Sequence, residues 1–171
     1  MFKFLKTAAI AAIAITGFAS DALADRAIKT TPDGWTLLIT TDMQRCYIGK
    51  KYNHDTTITM AINPVTKNVF FTFSNPTMMN DTRMVNRRYS IRLVVDNFEP
   101  WVGNLTAFSV DDAGVPFPAF GATLPVQFLE NFAMGSAMSI FVNGERLSTI
   151  GLGGTYNAAM ELIKCQTSIS I

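Results

Sequence analysis

The sequence predicts a mainly β fold: an antiparallel β-sandwich or partly open barrel with one internal helix and one C-terminal helix. Three observations carry this expectation. Runs such as Thr57–Ile62 and Tyr89–Val95 alternate apolar and polar residues, the period-two pattern of a half-buried strand. Asn143-Gly144 stands between two apolar-rich runs, and such a pair suits a type I′ hairpin because both residues tolerate positive φ. Helical spacing is confined to two places late in the chain, after Pro125 and after Thr155.

Lys3 and Lys6 precede a small-residue and aliphatic run from Thr7 to Phe18, and Ala22-Leu23-Ala24 fits an A-x-A cleavage site. Residues 1–24 therefore read as a cleaved secretory signal peptide, since a membrane anchor needs about 20 apolar residues. No Cys follows the cleavage site to carry a lipid anchor. The remaining residues 25–171 are the size of one domain. The expected location is periplasmic or secreted, in the style of a Gram-negative bacterium, with no stable membrane span after cleavage.

Asp25 to Pro32 reads as a short, mobile polar lead, and Trp35 to Thr41 as a strand opened by the Asp33-Gly34 turn. Extended structure resumes at Cys46-Tyr-Ile48, and Gly49 to Asp55 forms a polar loop. After Thr57–Ile62, Asn63-Pro64 turns the chain into Asn68–Ser74, with Val69, Phe71 and Phe73 on one face and Phe70 and Thr72 on the other. Met78 to Asn86 is a polar connection; Tyr89, Ile91, Leu93 and Val95 then face inward, and Leu105 to Val110 pairs back. Asp111-Asp112-Ala-Gly114 is a turn. Val115 to Phe120 carries two prolines, which predicts an extended loop or edge.

Pro125 to Met134 is the first helix, with Val126, Leu129, Phe132 and Ala133 on its stripe and Gly135 at its end. Beyond the hairpin, Gly151, Gly153 and Gly154 bend the chain, and Thr155 is placed to act as N-cap. Tyr156, Ala159, Met160 and Ile163 then form the expected buried face of a helix ending at Cys165.

Charge excludes one partner class. The chain holds 14 basic and 13 acidic residues; without Lys3, Lys6 and Asp21 it is neutral, lacking the basic footprint of a nucleic-acid binder. Cys46 and Cys165 are the only cysteines. In an oxidising compartment they are expected to pair as a structural disulfide; two buried thiols or a redox pair are the alternatives.

The inventory for catalysis is thin. Gly151-Leu-Gly-Gly154 lacks the Lys-Ser/Thr of a phosphate loop and reads as a flexible turn. His54 is the single histidine, without a G-x-S-x-G or H-E-x-x-H context. Met78, Met79 and Met84 with His54 have donors soft enough for Cu(I), but methionine equally fills irregular cores, so no metal and no cofactor is expected. Glu99, Asp111, Asp112 and Glu130 are carboxylates near aromatics, and acid–base hydrolysis would need two of them across a cleft.

The aromatic segments are more suggestive. Phe98-Glu-Pro-Trp101 and Phe117-Pro-Ala-Phe120 place Phe98, Trp101, Phe117 and Phe120 in expected loops, where proline-stiffened aromatics anchor interfaces or line apolar pockets. The competing reading has Trp101 and Phe120 capping the core.

Several residues also carry a resemblance. A Trp-led strand at Trp35 is followed by Cys46, and Leu152-Gly-Gly-Thr155 runs into a helix with Ala159, Leu162 and Cys165. In outline this resembles the invasion-associated locus B family of small secreted proteobacterial proteins. The resemblance implies a non-enzymatic envelope or exported protein of β-rich fold. Together these readings predict a protein–protein interaction module, an envelope accessory protein or inhibitor acting on another envelope or extracellular protein. A small apolar-ligand carrier, with a cavity beneath Trp101 and Phe120, is the alternative; a hydrolase-type enzyme is third.

Overall fold

The computed structural model describes residues 26–40, 45–53, 56–75, 85–112 and 115–169. The expected signal peptide, His54, Met78, Met79 and Met84 lie outside these described residues. Ten strands form one antiparallel sheet: β1 Arg26–Thr30, β2 Thr36–Ile39, β3 Cys46–Lys51, β4 Thr57–Ile62, β5 Val69–Ser74, β6 Arg88–Val95, β7 Trp101–Asp112, β8 Val115–Leu124, β9 Ala137–Val142 and β10 Glu145–Gly151. Among the described residues there are two helices, α1 Val126–Met134 between β8 and β9, and α2 Thr155–Ile169 after β10.

The strand order is β1-β2-β3-β4-β5-β8-β7-β6-β9-β10. The first five strands form a meander, and β6, β7 and β8 form a second one that folds back so that β8 closes onto β5. The sheet curls into a half-barrel. The Thr56 hydroxyl, just before β4, donates to Ser148 Oγ of β10 at 3.3 Å, bridging distant strands across the curl.

Alternation fixes what fills it. Val69, Phe71 and Phe73 of β5 and Ile91, Leu93 and Val95 of β6 point into the core, as their period-two spacing predicts. Trp35, Phe120, Phe128 and Phe132 join them. The helices pack on each other, α2 against β2, β3 and β4 and α1 against β5. Phe128, Leu129 and Phe132 are the buried side of α1; Leu129 and Phe132 lie on the expected stripe, whereas Val126 is exposed and Phe128 takes its place inward.

The hairpin forms as its sequence requires. Asn143 and Gly144 have φ of 51° and 86°, and Asn143 is further fixed by Ser90, whose N–H donates to Asn143 Oδ1 at 3.0 Å. Asp96 does similar work at the β6–β7 turn, its carboxylate accepting from the N–H groups of Ser136 and Ala137 at 2.6 and 2.9 Å.

Several expectations are corrected. The lead is not free: β1 pairs with β2, and Lys29 makes a 3.1 Å ion pair with Glu161 of α2. Gly49 to Lys51 belongs to β3 rather than to a loop. Val115 to Phe120 is strand, not loop, paired along its length with β7. The prolines are tolerated because β5 pairs only from Ala119 onward, so Pro116 and Pro118 occupy the half of β8 with one neighbour. Two prolines two residues apart turn their nitrogens to the same side of a strand, and one open side accommodates both.

Helix α2 departs most. It continues past Cys165 to Ile169, and its buried residues are Thr155, Ala158, Ala159, Leu162 and Gln166. Of the four residues expected inward, only Ala159 is buried; Tyr156, Met160 and Ile163 are 60%, 38% and 41% exposed. Small side chains at 158 and 159 let the helix approach the sheet closely, while the bulkier stripe stays outside. Thr155 is the first helical residue and not the N-cap. Its hydroxyl donates to Leu152 O at 2.7 Å and reaches Phe132 O of α1 at 3.1 Å.

Candidate functional site

The structure places three of the expected aromatic side chains, Phe98, Trp101 and Phe120, in different surroundings. Phe98 lies in the β6–β7 turn, 36% exposed. Trp101 opens β7 instead of lying in a loop, half-buried against the core, its indole over Gly103. Phe120 is buried within β8, stacked on Phe73 at 5.1 Å and edge-on to Tyr89 at 5.3 Å. Phe120 pairs with Ala107, six residues along β7 from Trp101, so the two stand about 20 Å apart along the strand. The backbone of Phe117 pairs with Val110, beyond Phe120 from Trp101.

The carboxylates are equally dispersed. Glu99 precedes β7, Asp111 and Asp112 end it, and Glu130 is exposed on α1. Glu99 and Asp111 are about 40 Å apart along the strand direction, beyond the reach of any shared cleft chemistry. Among the described residues no group of three His, Cys, Asp or Glu side chains is placed to hold a metal.

What the fold does present is the outer face of α2. The helix is fixed from several sides. Cys165 is bonded to Cys46 of β3, and the Cys46 N–H donates to Gln166 Oε1 at 3.0 Å. The Thr155 hydroxyl ties its start to α1, and Lys29 to Glu161 ties its middle to β1. On this anchored helix Tyr156, Met160 and Ile163 follow at i, i+4, i+7, forming one apolar stripe toward solvent.

Shallow depressions flank the stripe. One of about 400 Å³ is lined by Lys29, Pro32, Tyr156, Met160 and Lys164. The other, of about 450 Å³, is lined by Ile62, Pro64, Lys67, Val126 and Ile163, so it carries the stripe across to the exposed Val126 of α1. Glu161 accepts from Lys29 at 3.1 Å and lies 3.7 Å from Lys164; the hydrogen bond and charge of Lys29 hold its carboxyl below the ordinary value. The rim is therefore basic overall, with Lys29 and Lys164 beside Glu161 and Lys67 at the other depression. A signal for this surface was present in the sequence: residues 156–163 are apolar on two helix faces, while one core contact covers only one.

These features define a class: a mainly β, curled-sheet domain with a disulfide-anchored C-terminal helix whose outer face is apolar. No family model matches the sequence, and no curated protein matches it. Among solved structures, the crystal structure of invasion associated protein B from Bartonella henselae shares the fold, with a TM-score of 0.58, covering 78% of this chain and 94% of that one at 16% identity. At that identity the likeness is one of fold. Among the described residues no helix is long and apolar enough to cross a membrane.

Proposed function

We propose that this chain is an exported, non-enzymatic binding protein of the periplasm or cell exterior, and that it captures another protein on the outer face of α2. The observation that carries the reading is the stripe of Tyr156, Met160 and Ile163, three large apolar side chains left in solvent on a helix held by a disulfide. A rigid face costs little ordering entropy on association, which favours its use as a docking surface. The basic rim of Lys29, Lys67 and Lys164 selects a partner with an apolar ridge and acidic flanks. The disulfide supports an oxidising compartment. The fold shared with invasion associated protein B supports an extracytoplasmic role by analogy only.

The test is site-specific photo-crosslinking in the producing cell, with the probe at position 160 and, as control, at the exposed Thr149 of β10. The expected result is one heterologous protein joined at 160 and absent at 149. Met160→Lys should abolish crosslinking from a probe at 156 with an unchanged melting temperature. Equal labelling at 149, or loss of capture only with loss of folding, overturns the proposal.

A further inference from the structure

The outer face of the sheet carries a second, chemically different surface, around Phe70. Phe70 is 43% exposed at the middle of the sheet. Its ring does not stand off the strand. A Cβ placed on Gly121 of the neighbouring β8 would lie 3.1 Å from Phe70 Cζ and 3.1 Å from Cε1 of Phe108, which reaches over from β7. The ends of both rings therefore reach over Gly121, and Phe70 remains exposed beside them. A side chain at 121 would press on the two rings, which glycine avoids.

Beside that ring is a groove of about 340 Å³, lined by Arg45, Asn63, Asn68, Phe70 and Thr123. This is the small end of the range for small-molecule sites, about 300–1,000 Å³. Its polar groups are chiefly donors. Asn63 Oδ1 is occupied, accepting from the N–H groups of Val65 and Thr66 at 2.9 and 3.0 Å, so its Nδ2 is oriented and left to donate outward. Arg45 makes no ion pair among the described residues, and a guanidinium has donors alone. Thr123 is the register partner of Phe70, which sets its hydroxyl beside the ring.

We infer that this groove binds a carboxylate-bearing sugar, with the apolar C–H face of the sugar ring on Phe70 and its carboxylate between Arg45 and Asn63. A flat apolar platform bordered by donors matches a ligand with one C–H face and acceptor oxygens around its edge. The guanidinium of Arg45, without an ion-pair partner among the described residues, selects the acidic over the neutral sugar, since charge-assisted hydrogen bonds are roughly twice as strong as neutral ones. This surface lies on the outer side of the sheet, and the inference does not depend on α2.

The test is an NMR titration of residues 25–171 with a glucuronate-containing disaccharide, its neutral glucose counterpart, and sodium acetate. The acidic disaccharide should shift the amides of 45, 63, 70 and 123 saturably, and bind about tenfold more tightly than the neutral one. Arg45→Gln should remove that discrimination. Phe70→Leu, which keeps an apolar cover over Gly121 but removes the ring face, should weaken both sugars about tenfold. No saturable shift with the acidic disaccharide overturns the inference. So do equal shifts with acetate, which would make this a simple anion site, and binding unchanged by Phe70→Leu.

Discussion

Replacing Cys46 and Cys165 together by alanine removes the bond that closes a sequence separation of 119 residues. In the chain-entropy description a loop of that length lowers the entropy of the unfolded state enough to stabilise the fold by about 5 kcal/mol at 25 °C. Cys46 is fully buried in the core, so its truncation adds a small packing loss of about 1 kcal/mol. The hydrogen bond from the Cys46 N–H to Gln166 Oε1 survives, because it uses the backbone. For a domain of this size each kcal/mol moves the melting temperature by roughly 2–4 °C, so a loss of about 6 kcal/mol should lower the melting temperature of the double variant by about 12–24 °C. Circular dichroism melts of residues 25–171 measure this directly, with the native chain under reductant as a second route to the same state. Reversibility must be checked first, because the arithmetic needs a two-state transition. A fall of less than about 3 °C would refute the reasoning, since the bridge would then constrain little that the fold does not already hold.

Other perturbations read other parts of the fold. Phe120→Ala removes a ring stacked on Phe73 at 5.1 Å and should destabilise by about 3–5 kcal/mol in a urea melt; a loss under about 1 kcal/mol would mean the site relaxes or is not core. Gly154 has φ +79° and faces Asp33 where a Cβ would sit, whereas Gly153 has open space around it. Gly154→Ala should therefore cost about 1–3 kcal/mol and Gly153→Ala almost nothing, and equal effects would contradict the geometry. Tyr52 packs edge-on to Trp35 at 6.2 Å with its hydroxyl unpartnered among the described residues, and burial pushes its phenol well above its ordinary value of 10.0. The unfolded chain then ionises first, so Tyr52 contributes stability that is present below pH 10 and lost as pH rises above it. Tyr52→Phe should flatten that alkaline decline in chemical-denaturation curves taken from pH 8 to about 11, and an unaltered slope would exclude Tyr52 as its source.

Much of the sheet was legible because alternation and burial coincide: β4, β5 and β6 have the faces their residues predict, and Asn143-Gly144 turns as its φ preferences require. The disulfide followed from compartment and count. Residues where partners outvote local preference were not legible. Pro116 and Pro118 argue against a strand until β8 is known to have β7 on one side only in that stretch. Arg26–Thr30 lacks apolar alternation and is held by an antiparallel partner and an ion pair to α2. In α2, size misled: Tyr156, Met160 and Ile163 point outward, and Ala158, Ala159, Leu162 and Gln166 make the contact. The four aromatics of the expected site were scattered by β7, whose twelve-residue span sets Trp101 and Phe120 far apart.

The junction of β5 with β8 bears on how the molecule must assemble. Val69 pairs with Leu124 and Ser74 with Ala119, so the inner edge of β5 stays open until the whole β6–β8 meander has formed and swung back. The strand left waiting reads VFFTFS, aromatic-rich, uncharged and free of proline. Such a segment with an unpaired edge is a template for pairing between chains. In the finished sheet it lies at the centre, paired on both sides. Its hazard belongs wholly to the interval between synthesis and closure, which makes the speed of one late, long-range strand pairing the step on which yield of the folded protein depends.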